Sequence, residues 1–169
     1  AVLVLLFKTL KINKMPTNND NINQELINFL KQDELDYPAG AEKFGPAVLP
    51  LLQEILKSDD ENLATKAAYL AGYIKDDGKS SVLADAADNK FATVRIAAAF
   101  GANKLKPSLA SPILKKIMED NDVGVLKMAI TSAKSLKITD DFKDRFKKIS
   151  TSHQDEHIRE SVNKLISNK

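Results

Sequence analysis

The sequence predicts an all-α fold, a right-handed α-solenoid in which about five helical hairpins stack into a superhelix. Three observations predict it. First, Phe91 to Leu105 carries Val94, Ala98, Gly101, Ala102 and Leu105 at intervals of four, three, one and three, which draws one stripe on a helix. The stripe occurs earlier as Leu63, Ala67, Leu70, Ala71 and Ile74, and later as Val125, Ala129, Ser132, Ala133 and Leu136. The step from Leu63 to Val94 equals the step from Val94 to Val125, so the stripe keeps one fixed period. Small residues on such a stripe mean that another helix backbone comes close. Second, Leu52, Ile55 and Leu56 return with the same period as Leu83, Ala86 and Ala87, then as Leu114, Ile117 and Met118. Each repeat therefore holds two helices. Third, each small-residue helix follows an acidic and amide cluster: Asp59 to Asn62, Asp88-Asn89, and Asp120 to Asp122. Such residues accept from the free N–H groups of a first helical turn and complement its dipole.

A chain of 169 residues is long enough for one domain with a sizeable core. Lys plus Arg number 25 and Asp plus Glu 23, and the net charge of +2 demands neither a nucleic acid nor a membrane as partner. The absence of cysteine excludes disulfide and thiol chemistry and leaves the compartment open. Six glycines and six prolines are too few for a fibrous or disordered chain.

In chain order, Val2 to Phe7 is an unbroken apolar run, far shorter than the roughly 20 residues that span a bilayer. Lys8 and Lys11 follow it, whereas a secretory signal places basic residues in front, so a cytoplasmic location is expected. The chain starts with Ala, and three readings stand open: a trimmed chain, a processed one, or a foreign extension ahead of an original start at Met15. Lys14 to Asn23 is polar and reads as a linker. Residues 1–22 thus form an apolar segment with a linker, and 23–169 the repeat domain. Asn23 to Gln32 predicts a short helix with Asp20 or Asn21 as its N-cap. Tyr37, Ala41, Phe44 and Gly45 repeat the stripe in weakened form, which makes 23–45 a degenerate capping repeat. Pro46 to Ser58 predicts one strong amphipathic helix, bent at Pro50, and opens the repeat 46–77. The repeats 78–106 and 107–138 start at Gly78 and Pro107, with a second bend at Pro112. The last repeat, 139–169, sets Phe142, Phe146 and Ile149 on its first helix and Ile158, Val162, Leu165 and Ile166 on its second. Its outer face, with Lys143, Asp144, Arg145, Lys147 and Lys148, is polar, as an uncovered end requires.

Asp88 to Leu105, DNKFATVRIAAAFGANKL, resembles the HEAT repeat, in particular the HEAT-like repeats related to phycobilisome lyases. Val94-Arg95 before Ala97, Ala98 and Ala99 carries the likeness, and Ile158-Arg159 after Asp155 carries it again. Gly45 to Leu56 looks like the family's first helix. The resemblance implies that Arg95 and Arg159 brace loops between repeats rather than act in catalysis. Ala64 and Leu126 stand where two further repeats would place that arginine.

The candidate site is a departure from the polar face of the second helices. Thr65 and Tyr69 occupy two such positions in one repeat, Ile96 and Phe100 in the next, and Lys127 and Thr131 in the third, with Tyr73 one turn beyond Tyr69. Stacking sets Tyr69 beside Phe100 on the concave surface, where an aromatic patch marks a contact site. Two readings stand: the rings are open to a partner, or the chain covers them itself, with Val2 to Phe7 as the candidate cover. The lysines at 104, 106, 115, 116, 143, 147 and 148, with Arg145, offer a weaker basic stripe interleaved with acids, so nucleic acid is disfavoured. His153 and His157 find no further ligand cluster, and no metal or cofactor is expected. No nucleophile elbow or phosphate-cradling loop occurs. The function expected is a non-catalytic, monomeric scaffold that presents its concave face to a protein or peptide partner. Two rivals follow from the resemblance: a nucleic-acid-binding HEAT-like protein, or an accessory subunit of a bilin lyase-type complex.

Overall fold

The computed structural model of the protein describes residues 18–167. Ten α-helices and two short 3-10 helices, and no strand, occur among the described residues. The chain runs α1 Asn18–Leu30, α2 Tyr37–Phe44, a 3-10 turn Pro46–Val48, α3 Leu49–Ile55, α4 Glu61–Tyr73 and α5 Lys79–Ala87. It continues with α6 Ala92–Ala102, α7 Pro107–Ile117, α8 Val123–Ser135, a 3-10 turn Thr139–Phe142, α9 Lys143–Ser152 and α10 Glu156–Ser167. From α3 onward the helices alternate as first and second members of hairpins. The second helices α4, α6 and α8 pack on one another in order.

Both periodic stripes face inward. Every position named on them is buried except Leu136, which is partly exposed. The small residues serve the purpose their size suggests. A Cβ added to Gly72 of α4 would stand 2.9 Å from Gly101 Cα of α6, so these two backbones touch at the glycines. The stripe serine, Ser132, is buried and donates to the Ala99 carbonyl of α6 at 2.8 Å. A buried hydroxyl without such an acceptor is costly, and this bond offsets its desolvation.

The helix starts follow the acidic clusters. The carboxylates of Asp60, Asp122 and Asp155 each accept from the backbone N–H three residues on, at 3.0 Å. The equivalent residue before α6 is Phe91, which makes no side-chain cap. There Asn89 accepts from the Phe91 N–H at 3.0 Å, and Arg95 holds the same loop by donating to the Asn89 and Lys90 carbonyls at 2.9 and 3.1 Å. Side-chain hydrogen bonds between successive repeats span 25 to 34 residues along the chain. Lys90 to Asp59, Lys116 to Asp88 and Asn89 to the Leu56 carbonyl are examples.

Several expectations change. The helix expected over 23–32 begins at Asn18, so Asp20 and Asn21 lie inside α1 rather than capping it, and residues 18–22 are helical instead of linker. Asn and Asp are tolerated there because the first-turn N–H groups have no intrahelical acceptor to lose. The single helix expected over 46–58 is split. Pro50 lies in the first turn of α3, where its missing N–H costs nothing, and the turn before it is 3-10. Gly45, at φ 60°, separates α2 from that turn. Pro112 does sit inside α7. Ile166 is 38% exposed rather than part of the core. The run Val2–Phe7 lies outside the described residues.

Candidate functional site

The contact between Gly72 and Gly101 fixes what stands beside it. Tyr69 and Tyr73 leave α4 one turn apart, and Phe100 leaves α6. The ring centroids of Tyr69 and Phe100 lie 5.4 Å apart, and those of Tyr73 and Phe100 5.6 Å. Tyr37, the first residue of α2, closes the group. Its ring stacks on Tyr73 at 5.9 Å with the planes 7° apart, and meets Tyr69 at 5.7 Å. All three tyrosines of the chain thus meet in one cluster with Phe100. Each ring is partly exposed, and the three tyrosines pack against the core.

The Lys104 ammonium stands over two of these rings, 4.5 Å from the Tyr73 centroid and 5.0 Å from that of Phe100. A cation over aromatic faces is attracted by their quadrupoles. Burial raises the Tyr37 and Tyr69 phenols above the ordinary 10.0, and the neighbouring tyrosines add to the effect. Both hydroxyls therefore stay protonated near neutral pH and can donate as well as accept. Beside Tyr73 and Lys104 opens a cleft of about 470 Å³, where the end of α4, the start of α5 and the segment after α6 converge.

The remaining candidate residues are spread along the second helices. Thr65 shares a 2.9 Å hydrogen bond with Thr93, which donates to Glu61 at 2.8 Å, near the N-terminal ends of α4 and α6. Ile96 lies one turn before Phe100 and packs near Gly124 at the start of α8. Lys127 faces the last repeat, where its charge acts on Asp155. Thr131 turns back to the Lys127 carbonyl at 2.8 Å. The structure therefore brings Tyr69, Tyr73 and Phe100 together, and leaves Thr65, Ile96, Lys127 and Thr131 outside the ring contacts.

Two residues of this region escape sequence reasoning. Tyr37 reads as a weakened core position of the first repeat, and only the fold turns it onto Tyr69 and Tyr73. Lys104 reads as part of a basic stripe, although it stands one full repeat period after Tyr73, which was a usable signal.

Half of the stripe is paired with acids. Lys106 pairs with Asp77 at 2.5 Å, Lys116 with Asp88, and Lys143 with Asp140 at 3.6 Å. Arg145 is drawn in from the outer face: it donates to the Met118 carbonyl at 2.7 Å and pairs with Glu119 at 3.3 Å. Arg95 grips Asp120 of the following repeat with two hydrogen bonds, at 2.5 and 3.2 Å, the pair being 20% and 10% exposed. Burial pushes the Asp120 carboxyl up, but the Arg95 guanidinium and the Asp122 and Asn121 amides outweigh it and hold it below 3.8. Arg159 repeats the loop brace on the His153 and Gln154 carbonyls. Ala64 and Leu126, at the matching positions, are buried apolar residues. His153 ends α9 and accepts from the Asp155 N–H at 3.0 Å. No group of His, Asp and Glu among the described residues is placed to hold a metal ion.

A two-helix unit that recurs with one fixed period, with an arginine bracing the loop before its second helix, is the plan of one repeat class. The family model for HEAT repeats matches residues 48–137, more than half of the chain. The protein belongs to the HEAT-repeat family. HEAT repeats commonly mediate protein interactions, and the fold is of the scaffold kind. The match names HEAT repeats at large and no narrower branch of them. No curated protein matches the chain. Among the described residues of this HEAT-repeat protein, no helix is long and apolar enough to cross a membrane.

Proposed function

We propose that the chain is a non-catalytic binding scaffold that receives a peptide or helix of a protein partner on the concave side formed by its second helices. The supporting observation is the ring cluster of Tyr37, Tyr69, Tyr73 and Phe100, partly exposed and seated on the closest approach of two helices. Rings held by a rigid base lose little freedom on binding, which is why such residues carry affinity. Thr65, Ile96, Lys127 and Thr131 border the same face and shape the partner's path. Binding requires no cofactor, and a single chain suffices. The test is capture of protein partners by the immobilised chain, with a Tyr69→Ala/Phe100→Ala variant as control. Captured proteins that depend on the two rings, with helix content unchanged, are expected. A partner profile identical for the two chains refutes the placement.

A further inference from the structure

The cleft beside the ring cluster carries a charge pattern that the rings alone do not explain. Four lysines line it, at 75, 79, 104 and 106, against two aspartates, Asp76 and Asp77. Both acids are engaged. Asp77 pairs with Lys106 at 2.5 Å, and Asp76 accepts from the Gly78 N–H at 2.7 Å. Lys75 makes no ion pair among the described residues, and Lys104 meets only aromatic faces. Lys79 is 5% exposed, and among the described residues its ammonium gives one hydrogen bond, to the Gly72 carbonyl at 3.0 Å. An ammonium has three donors, so two remain for a second acceptor.

We infer that this cleft receives a carboxylate of an acidic peptide segment whose neighbouring apolar residue lies on Tyr73 and Phe100. The inference rests on the scaffold reading above and names the chemistry of the partner. Lys75, Lys79 and Lys104 supply the donors, and Lys106 stays with Asp77. The reason to choose a peptide carboxylate over a phosphate backbone is extent. A nucleic acid needs a continuous track of free cations, yet Lys90, Lys116, Lys143 and Arg145 are each paired with an acid, and Lys115, Lys147 and Lys148, unpaired among the described residues, stand on α7 and α9, outside the cleft. Within the cleft the cations without an acid stand directly beside aromatic faces, which suits one acidic residue next to an apolar one. The cleft also gains from an anion. Burial lowers the Lys79 ammonium below its ordinary 10.5 and Lys104 pushes the same way, against the opposing pull of Asp77 and Asp76. A bound carboxylate between the two ammonium groups relieves that repulsion and charge-assists each hydrogen bond.

The experiment is selection of peptides from a random display library on the full chain and on a Lys75→Ala/Lys104→Ala variant, both of whose positions are exposed. The expected peptides carry Asp or Glu beside Leu, Phe or Met, and bind the variant at least about tenfold more weakly, as the loss of a charged hydrogen bond implies. The apolar preference survives in the variant and disappears in Tyr69→Ala/Phe100→Ala. Peptides selected without acidic residues, or acidic ones that bind the lysine variant equally well, overturn the carboxylate site and leave the scaffold reading standing. Peptides indifferent to the ring substitutions, or no peptides at all, overturn both. A labelled single-stranded oligonucleotide is titrated in parallel, and tighter binding of it through Lys75 and Lys104 assigns the cleft to phosphate instead.

Discussion

Replacing Gly72 by alanine tests the geometry on which the ring cluster depends. Two effects oppose each other. Alanine in place of a helical glycine gains up to about 1 kcal/mol of helix propensity, and less at the penultimate residue of a helix. Against this, the new methyl would stand 2.9 Å from Gly101 Cα, a separation that real Cβ atoms essentially never show. The obstacle is backbone, so no side-chain rotation can relieve it, and α4 and α6 must part. Overpacking of this kind costs about 1–3 kcal/mol. The expected net loss is about 1–2 kcal/mol, or roughly 2–8 °C in Tm for a domain of this size. Thermal unfolding followed by circular dichroism reads it. A Gly101→Ala companion meets buried Leu83 at 2.5 Å as well as Gly72 Cα at 3.1 Å, so it should be at least as damaging. The double variant should lose more than the sum, since both methyl groups enter one gap. A Gly72→Ala protein with equal or higher Tm would show that the helices have slack there.

Three further outcomes follow from the same contacts. Asp60→Ala and Asp122→Ala should each lower stability by about 1 kcal/mol, measured by urea unfolding, because each removes the acceptor for a first-turn N–H. Asp120 should make stability sensitive to acid: its folded carboxyl titrates below the unfolded value of 3.8, so its contribution is complete above that pH and is lost as pH falls from there through the lower folded value. An Arg95→Met variant should flatten that part of the pH profile, and an unaltered profile would remove Arg95 as the cause. Tyr37 and Tyr69 act at the other extreme. Their folded phenols titrate above 10.0, so the stability they hold is complete below that pH and fades as it rises through the folded values. Ultraviolet titration of the folded chain should therefore lag behind that of the denatured chain, and coincident curves contradict the burial of the rings.

The periodic features were readable because they obey short rules. A stripe that keeps its spacing from one repeat to the next has one geometric solution, and Leu63, Val94 and Val125 accordingly occupy equivalent buried places. Tyr69 and Phe100 meet for the same reason: they are one position in adjacent repeats. Features that depend on the irregular first repeat were not readable. Nothing local to Tyr37 says that its ring will stack on Tyr73, because that depends on how α2 docks against α4. The fate of Arg145 was equally hidden. It stands in a run with Lys143, Asp144, Lys147 and Lys148, and only the position of the Met118 carbonyl draws it inward. The start of α1 was missed because a run of Asn and Asp signals a cap and a first turn almost equally well.

The ties between repeats reach 25 to 34 residues along the chain, which bears on how the molecule assembles and comes apart. Each tie closes a loop of similar length, and the entropy of closure grows only slowly with length, so no junction is much harder to form than the next. Folding can start at any adjacent pair of hairpins and spread as a zipper does. Loss of order travels the same way. An end repeat can open while the α4–α6 junction stays shut, so amide exchange should be slowest around Gly72 and Gly101 and quicken towards either end. Under tension the chain would yield one hairpin at a time, releasing length in near-equal steps.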